Sequence, residues 1–301
     1  MMPVEKCDVV DRSALAQFRR KYEQWMSWLG GDTYHALERQ LARMMHLDMA
    51  YRVLIEARRG SDGRTTAAAM NGLLASFLDQ CYVETQVLAI SRLTDRRKDV
   101  ISVRRLLDDV GAHCHLLTRE NYVAFDGLPY EPRIGGGSGL LSPKSNAAKN
   151  LRSFTRHQRF DGFSGVSPER RSRSDCIRCQ VFKTTENYLD KVDEEGLGGL
   201  RNKFIAHAAS PSSRGARGYS GPSAEILEKV ARAHQLILRA FVSINDILPR
   251  FVRLDLVTHP PLGFLSGLDN PYSAVPIVRL QKRWDGLQKE RGEWCLPAEI
   301  R

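Results

Sequence analysis

Apolar side chains recur at three- and four-residue steps along most of the chain, the period of an amphipathic α-helix. From Asp11 to about Leu29 this stripe is Leu15, Phe18, Tyr22 and Trp25. Gly30-Gly31 stops it, and Asp32 or Thr33 can cap the next helix by accepting a free backbone N–H. The spacing predicts a second helix to about Arg59, with Leu37, Leu41, Met44, Leu47 and Tyr51 on one face. A third runs from near Thr65 to Ile90 and carries Met70, Leu74, Phe77, Cys81 and Leu88. A short one spans about Val103 to Leu117. Pattern resumes at about Asp175 (Ile177, Val181, Tyr188, Val192) and breaks at Gly196, Gly198 and Gly199; a short segment, Leu200 to Ala208, follows. The longest clean stripe, Ile226, Val230, Ile237, Phe241, Ile244 and Leu248, predicts a helix from Ser223 to Leu248, ended by Pro249. A last one covers Val278 to Glu290. No strand alternation and no internal repeat appear, so the expected class is all-α: an antiparallel helical bundle with short connections.

Between Asp126 and Ser174 the period fades and Gly, Ser and Pro accumulate, including Gly135-Gly136-Gly137-Ser138-Gly139. Lys144–Ser174 holds eight basic residues against Asp161 and Glu169, so this stretch carries six of the ten excess positive charges of the chain. A long aperiodic segment is usually functional or disordered. Its arginines interleave with Phe154, Phe160 and Phe163, a mixture that tracks phosphates and stacks unpaired bases. Arg152, Arg156, Arg159, Arg170, Arg171 and Arg173 are the candidate RNA contacts; a solvated loop is the plain alternative. The resulting layout is N-terminal bundle helices over 1–125, a basic irregular insertion over 126–174, C-terminal bundle helices over 175–252 and a tail over 253–301.

The 301 residues can bury a sizeable core, and the formal charge of +10 favours a polyanionic partner. No run of about 18–20 apolar residues is free of charge, which argues against a membrane span. Met1–Arg12 carries Glu5, Lys6, Asp8 and Asp11 and no apolar core, so no secretory signal is expected. Six cysteines then read as reduced thiols of a cytoplasmic protein.

Four Arg–His pairs have four to six intervening residues, ending at His46, His157, His207 and His259. Context separates the third: Asn202 follows Arg201, apolar Phe204 and Ile205 lie between, and long amphipathic helices flank the segment. The run Leu200-Arg201-Asn202-Lys203-Phe204-Ile205-Ala206-His207-Ala208 resembles the signature of the HEPN superfamily of helical proteins, many of them ribonucleases: an Arg, often followed by Asn, then four to six residues and His. With Ser91–Asp95 and Ser102–Leu107, the pattern also resembles abortive-infection U-type phage-defence proteins within that superfamily, over roughly 32–252. The resemblance implies a HEPN-type bundle, a homodimer whose two motifs share one cleft, and metal-independent endoribonuclease activity in a toxin or phage-defence setting. It equally admits a non-catalytic interaction module, such as the partner of a nucleotidyltransferase antitoxin, or a nucleic-acid-binding protein.

The residue types suit RNA cleavage. The 2′-hydroxyl of RNA is its own nucleophile, so the site needs proton exchange and charge stabilisation, with no metal or other cofactor. His207 exchanges protons near neutral pH. Arg201 stays cationic and can grip two phosphate oxygens. Asn202 can bond phosphate or orient the imidazole, and Lys203 adds a phosphate contact. On an ideal α-helix Arg201 and His207 stand about 120° apart in azimuth and about 9 Å apart along the axis, which is why pairing of two chains enters the expectation.

Other constellations are weaker. Cys176 and Cys179 with His113 or His115 would make an irregular zinc set, and two ordinary thiols are the simpler account. Asp108-Asp109 and Glu194-Glu195 read as solvated faces. Arg92 and Asp95 read as an ion pair at a helix end.

Overall fold

The computed structural model describes residues 1–59, 72–132, 145–205, 210–214, 222–250 and 277–294. These form α1 (Arg12–Met26), α2 (Leu37–Arg59), α3 (Gly72–Leu93), α4 (Val103–Ala112), α5 (Arg119–Ala124), α6 (Asn146–Ser164), α7 (Cys179–Glu194), α8 (Leu197–Leu200), α9 (Pro211–Arg214), α10 (Ala224–Ile247) and α11 (Ile277–Trp294), with short 3₁₀ turns and two π-helical turns, Ser27–Gly31 and Arg201–Ile205. The fold is all-α. Among the described residues no strand occurs, only an isolated antiparallel bridge between Thr118 and Cys176, and no helix is long and apolar enough to cross a membrane.

Helix starts are written in hydroxyl and carboxylate side chains that take up backbone N–H groups the helix leaves over. Asp11 accepts from Ala14 at 2.8 Å, Ser102 from Arg105 at 3.0 Å, Ser145 from Ala148 at 3.1 Å and Ser223 from Ile226 at 3.2 Å. Asp32 holds the turn ahead of α2 through the N–H groups of Tyr34 and His35.

α10 is the central strut, packed on α7, α3 and α4, while α1 packs on α5 and α5 on α6. Leu15, Phe18, Trp25, Val83, Val110 and Phe241 all lie within one buried cluster. A second, smaller cluster joins α2 to α11: Met49, Val53 and Ala57 against Leu280, Trp284 and Leu287.

Three expectations change. The apolar stripe read on α3 points the wrong way: Leu74 and Phe77 are 49% and 59% exposed, and the buried face is Tyr82, Val83, Val87, Ile90 and Leu93. α3 is apolar around most of its girth, so periodicity does not choose its inner side. Asp109 is not a solvated residue, since it accepts the indole N–H of buried Trp25 at 2.7 Å and the Lys21 ammonium at 3.0 Å. Glu195 likewise binds Arg232.

The largest change concerns the insertion, which is not irregular throughout. Residues 146–164 form the five-turn helix α6. Its buried face is Ser153, Arg156, His157, Phe160 and Ser164, a set that hydropathy scores as polar. Buried guanidinium groups persist only when carboxylates and carbonyls meet them, and here they do. α6 ends at Gly165, whose φ of +66° lets its N–H reach Asp161 O at 2.7 Å. A methyl group there would stand 2.5 Å from the Arg178 guanidinium carbon. Gly165→Ala is therefore expected to cost about 1–2 kcal/mol, read as a lower urea midpoint at unchanged slope.

Candidate functional site

Gly196, at φ +75°, turns the chain out of α7 into α8, and α8 runs straight into the π-turn Arg201–Ile205. Leu197 is buried, and Leu200 and Ile205 pack on the main core. This anchoring leaves Arg201 half-buried and Asn202 and Lys203 exposed. The Arg201 Nε–H donates to Asn202 Oδ1 at 2.8 Å, so the two side chains lie together and the guanidinium edge is oriented by a neutral acceptor. Among the described residues no carboxylate lies within ion-pair distance of Arg201. From Arg201 to Ile205 the chain winds in i→i+5 steps rather than as a regular α-helix. His207 itself lies outside the described residues, as do His259 and the glycine run 135–139.

The other Arg–His spacings resolve differently. His157 is buried, with Nε2 2.6 Å from Tyr130 O and its ring edge-on to Tyr130. Burial pushes its pKa below the ordinary histidine value. His46 packs against the Trp284 ring.

The candidate RNA contacts of the insertion divide. Arg156, 3% exposed, is bidentate to Asp126 at 2.7 and 2.8 Å and also donates to Val123 O. Arg159 binds Asp246 and the Arg250 carbonyl. Arg171 pairs with Asp161 at 2.5 Å. Arg173 bonds Asp8 and Glu120 and lies 4.0 Å above the Tyr130 ring. All four make ion pairs within the fold; Arg156 is buried, while Arg159, Arg171 and Arg173 keep part of their surface exposed. Arg152 and Arg170 remain exposed. At the centre of this seam is a residue the sequence reading passed over. Arg119 has no exposed surface, and its guanidinium meets Asp175 at 2.7 Å, Asp161 at 2.7 Å, Ser164 Oγ at 3.2 Å and His157 O at 3.3 Å.

Cys176 and Cys179 are exposed free thiols. Partial loss of solvent around its sulfur, then the nearby Cys114 and Asp175, raises the Cys176 pKa. His113 uses Nδ1 on Asp109 O at 2.7 Å. Among the described residues no group of three or more His, Cys, Asp or Glu is placed to hold a metal ion. Asp95 pairs with Arg97.

A polar cluster that periodicity conceals lies between α2, α3, α10 and α11. Asp48, fully buried, binds Arg52 at 3.0 Å, accepts the Tyr82 hydroxyl at 2.5 Å and pairs with buried Arg291. Burial would raise its carboxyl pKa, but the surrounding cations outweigh it and hold the group below the usual range. Outside it, Tyr82 stacks on Tyr51 at 3.7 Å, and a cleft of about 330 Å³ opens between Leu47, Leu54, Leu78 and Cys81. The only sequence signal for this cluster is a set of charges at positions one helical turn apart, Asp48 and Arg52. Their partners on α10 and α11 are distant in sequence.

The chain was compared with models of protein families, with curated proteins and with solved structures, and nothing matches in any of the three.

Proposed function

We propose that the chain is a metal-independent endoribonuclease of HEPN type, with Arg201, Asn202 and His207 as its catalytic set and Lys203 as a phosphate contact. The observation that supports this reading is the Arg201–Asn202 pair. It is carried on a π-turn, a backbone form enriched at functional positions, and its arginine has no acidic partner among the described residues. The buried arginines Arg119, Arg156 and Arg291 face carboxylates. Arg201 is left to a neutral amide, which keeps its charge available for a phosphodiester.

In this reading His207 takes the 2′-hydroxyl proton and Arg201 stabilises the charge that builds on phosphorus. The products are a 2′,3′-cyclic phosphate and a 5′-hydroxyl. Two chains pair so that their motifs face one cleft, the RNA track runs over Lys203, Arg152 and Arg170, and the setting is a toxin or phage-defence system in the cytoplasm, with an antitoxin protein as the natural partner.

The test is incubation of the purified protein with single-stranded RNA in excess EDTA. Cleavage with cyclic-phosphate ends is expected, falling by about 10²–10⁴-fold in His207→Ala, at unchanged circular dichroism. A wild-type protein that binds RNA without cutting it, or cutting that survives His207→Ala, refutes the proposal. Co-purification with a nucleotidyltransferase in the absence of nuclease activity would instead favour the interaction-module alternative.

A further inference from the structure

His234 on α10 has no exposed surface, and its protonation follows from its neighbours. Gln86 on α3 donates its amide N–H to Met44 O at 3.2 Å, which turns Oε1 toward His234 Nε2 at 3.0 Å. An amide oxygen only accepts, so Nε2 carries the ring proton and Nδ1 is a bare lone pair. That lone pair has no hydrogen-bond partner. It faces Asp48 Oδ2 at 4.0 Å, one electron-rich atom against another.

The imidazole stays neutral first because it is buried, and then because the cations already around Asp48 offset the pull of that carboxylate. Arg52 comes from α2, Arg291 enters from α11, and Tyr82 of α3 donates its hydroxyl. Glu290, at the rim and half exposed, binds the other side of Arg291 at 3.2 Å. Asp48 thus has two cations, and a third at His234 would repel both. α11 is held otherwise by the small apolar cluster on α2, by the His46 ring against Trp284, by Arg279–Glu56 on the surface and by Trp294, which joins the main buried cluster.

We propose that α11 is an acid-released latch: a proton taken up at His234 Nδ1 supplies Asp48 with an internal cation and displaces Arg291, undocking α11 from α2. The step is a proton uptake alone, with no bond broken. Its direction follows from linkage. Burial first, then the Arg291 and Arg52 charges, hold the docked imidazole down at about 4 against an ordinary 6.5. Between those values the open state binds a proton that the docked state does not, so docking is complete above about 6.5 and is lost progressively as the pH falls. Asp48 stays ionised across this window.

Hydrogen exchange of the full chain, corrected for intrinsic rates, tests this. The opening constant of 277–294 is expected to rise up to about twentyfold between pH 7 and pH 5, while α1 and α4 keep their protection. The rise vanishes in His234→Gln. In Arg291→Met, NMR titration of the His234 ring should give a pKa well above that in the wild type. That readout needs no substitution at His234. Exchange in α11 that is flat with pH, a rise that persists in His234→Gln, or a His234 pKa unmoved by Arg291→Met each overturn the latch.

Discussion

Arg119→Ala is expected to destabilise the chain by about 3–5 kcal/mol, the loss typical of removing one partner from a buried ion cluster. The guanidinium spans α6 and the segment ahead of α7 by touching Asp161, Asp175, Ser164 and the His157 carbonyl, and it lies 4.9 Å from the Phe160 ring. Without it Asp175, only 12% exposed, loses its charged partner, whereas Asp161 keeps Arg171. The backbone joint beside it, Arg119 N–H to Asp175 O at 2.8 Å and Glu120 N–H to Arg173 O at 3.1 Å, loses its brace. Urea unfolding followed by circular dichroism measures the effect. A loss below about 1 kcal/mol would mean that the cluster contributes only what an exposed pair does. Arg119→Lys should recover little, since an ammonium lacks the planar fork that reaches two carboxylates at once.

Arg201→Ala is the opposite kind of change. The side chain is half-buried and its hydrogen bond is to its neighbour Asn202, so stability should move by no more than about 0.5 kcal/mol. RNA cleavage, on the proposed reading, should fall by about 10²–10³-fold, the usual consequence of deleting one donor to a charge that develops in the transition state. Arg201→Lys should keep the charge but lose two-point grip, and so retain only part of the rate. Normal cleavage in Arg201→Ala would remove Arg201 from the mechanism, whatever His207 does. A fall in both stability and rate would assign Arg201 to the scaffold.

How far the sequence was legible depends on what each helix buries. α10 was readable because Val230, Ile237, Phe241, Ile244 and Leu248 are all aliphatic or aromatic and all buried, so a 3.6-residue period carries the whole signal. α1 was readable for the same reason. α6 was not, because its inner face is two hydroxyls, an arginine, a histidine and one phenylalanine. Their burial depends on Asp126, on Arg119 and on the carbonyls of Val123, Pro129 and Tyr130, which no local window contains. α3 failed in the other sense, offering more apolar residues than it buries. The candidate site was legible only as a spacing: Arg201 and Asn202 were placed on a short segment between helices, Leu200 to Ala208, but the π-winding that sets their direction depends on Leu197 and Ile205 packing on the core. The Asp48–His234–Arg291 cluster left no trace in periodicity, because its members come from three helices nearly 250 residues apart in numbering.

The seam beneath α6 has a consequence for how the chain can vary. At an aliphatic contact one residue can drift alone, since a smaller or larger neighbour costs only a fraction of the packing. Arg156 allows no such freedom: losing Asp126 leaves its guanidinium charged and shut away from water. Asp126 cannot be exchanged while Arg156 stays, so substitutions at these two positions should travel as couples through any lineage that keeps the helix.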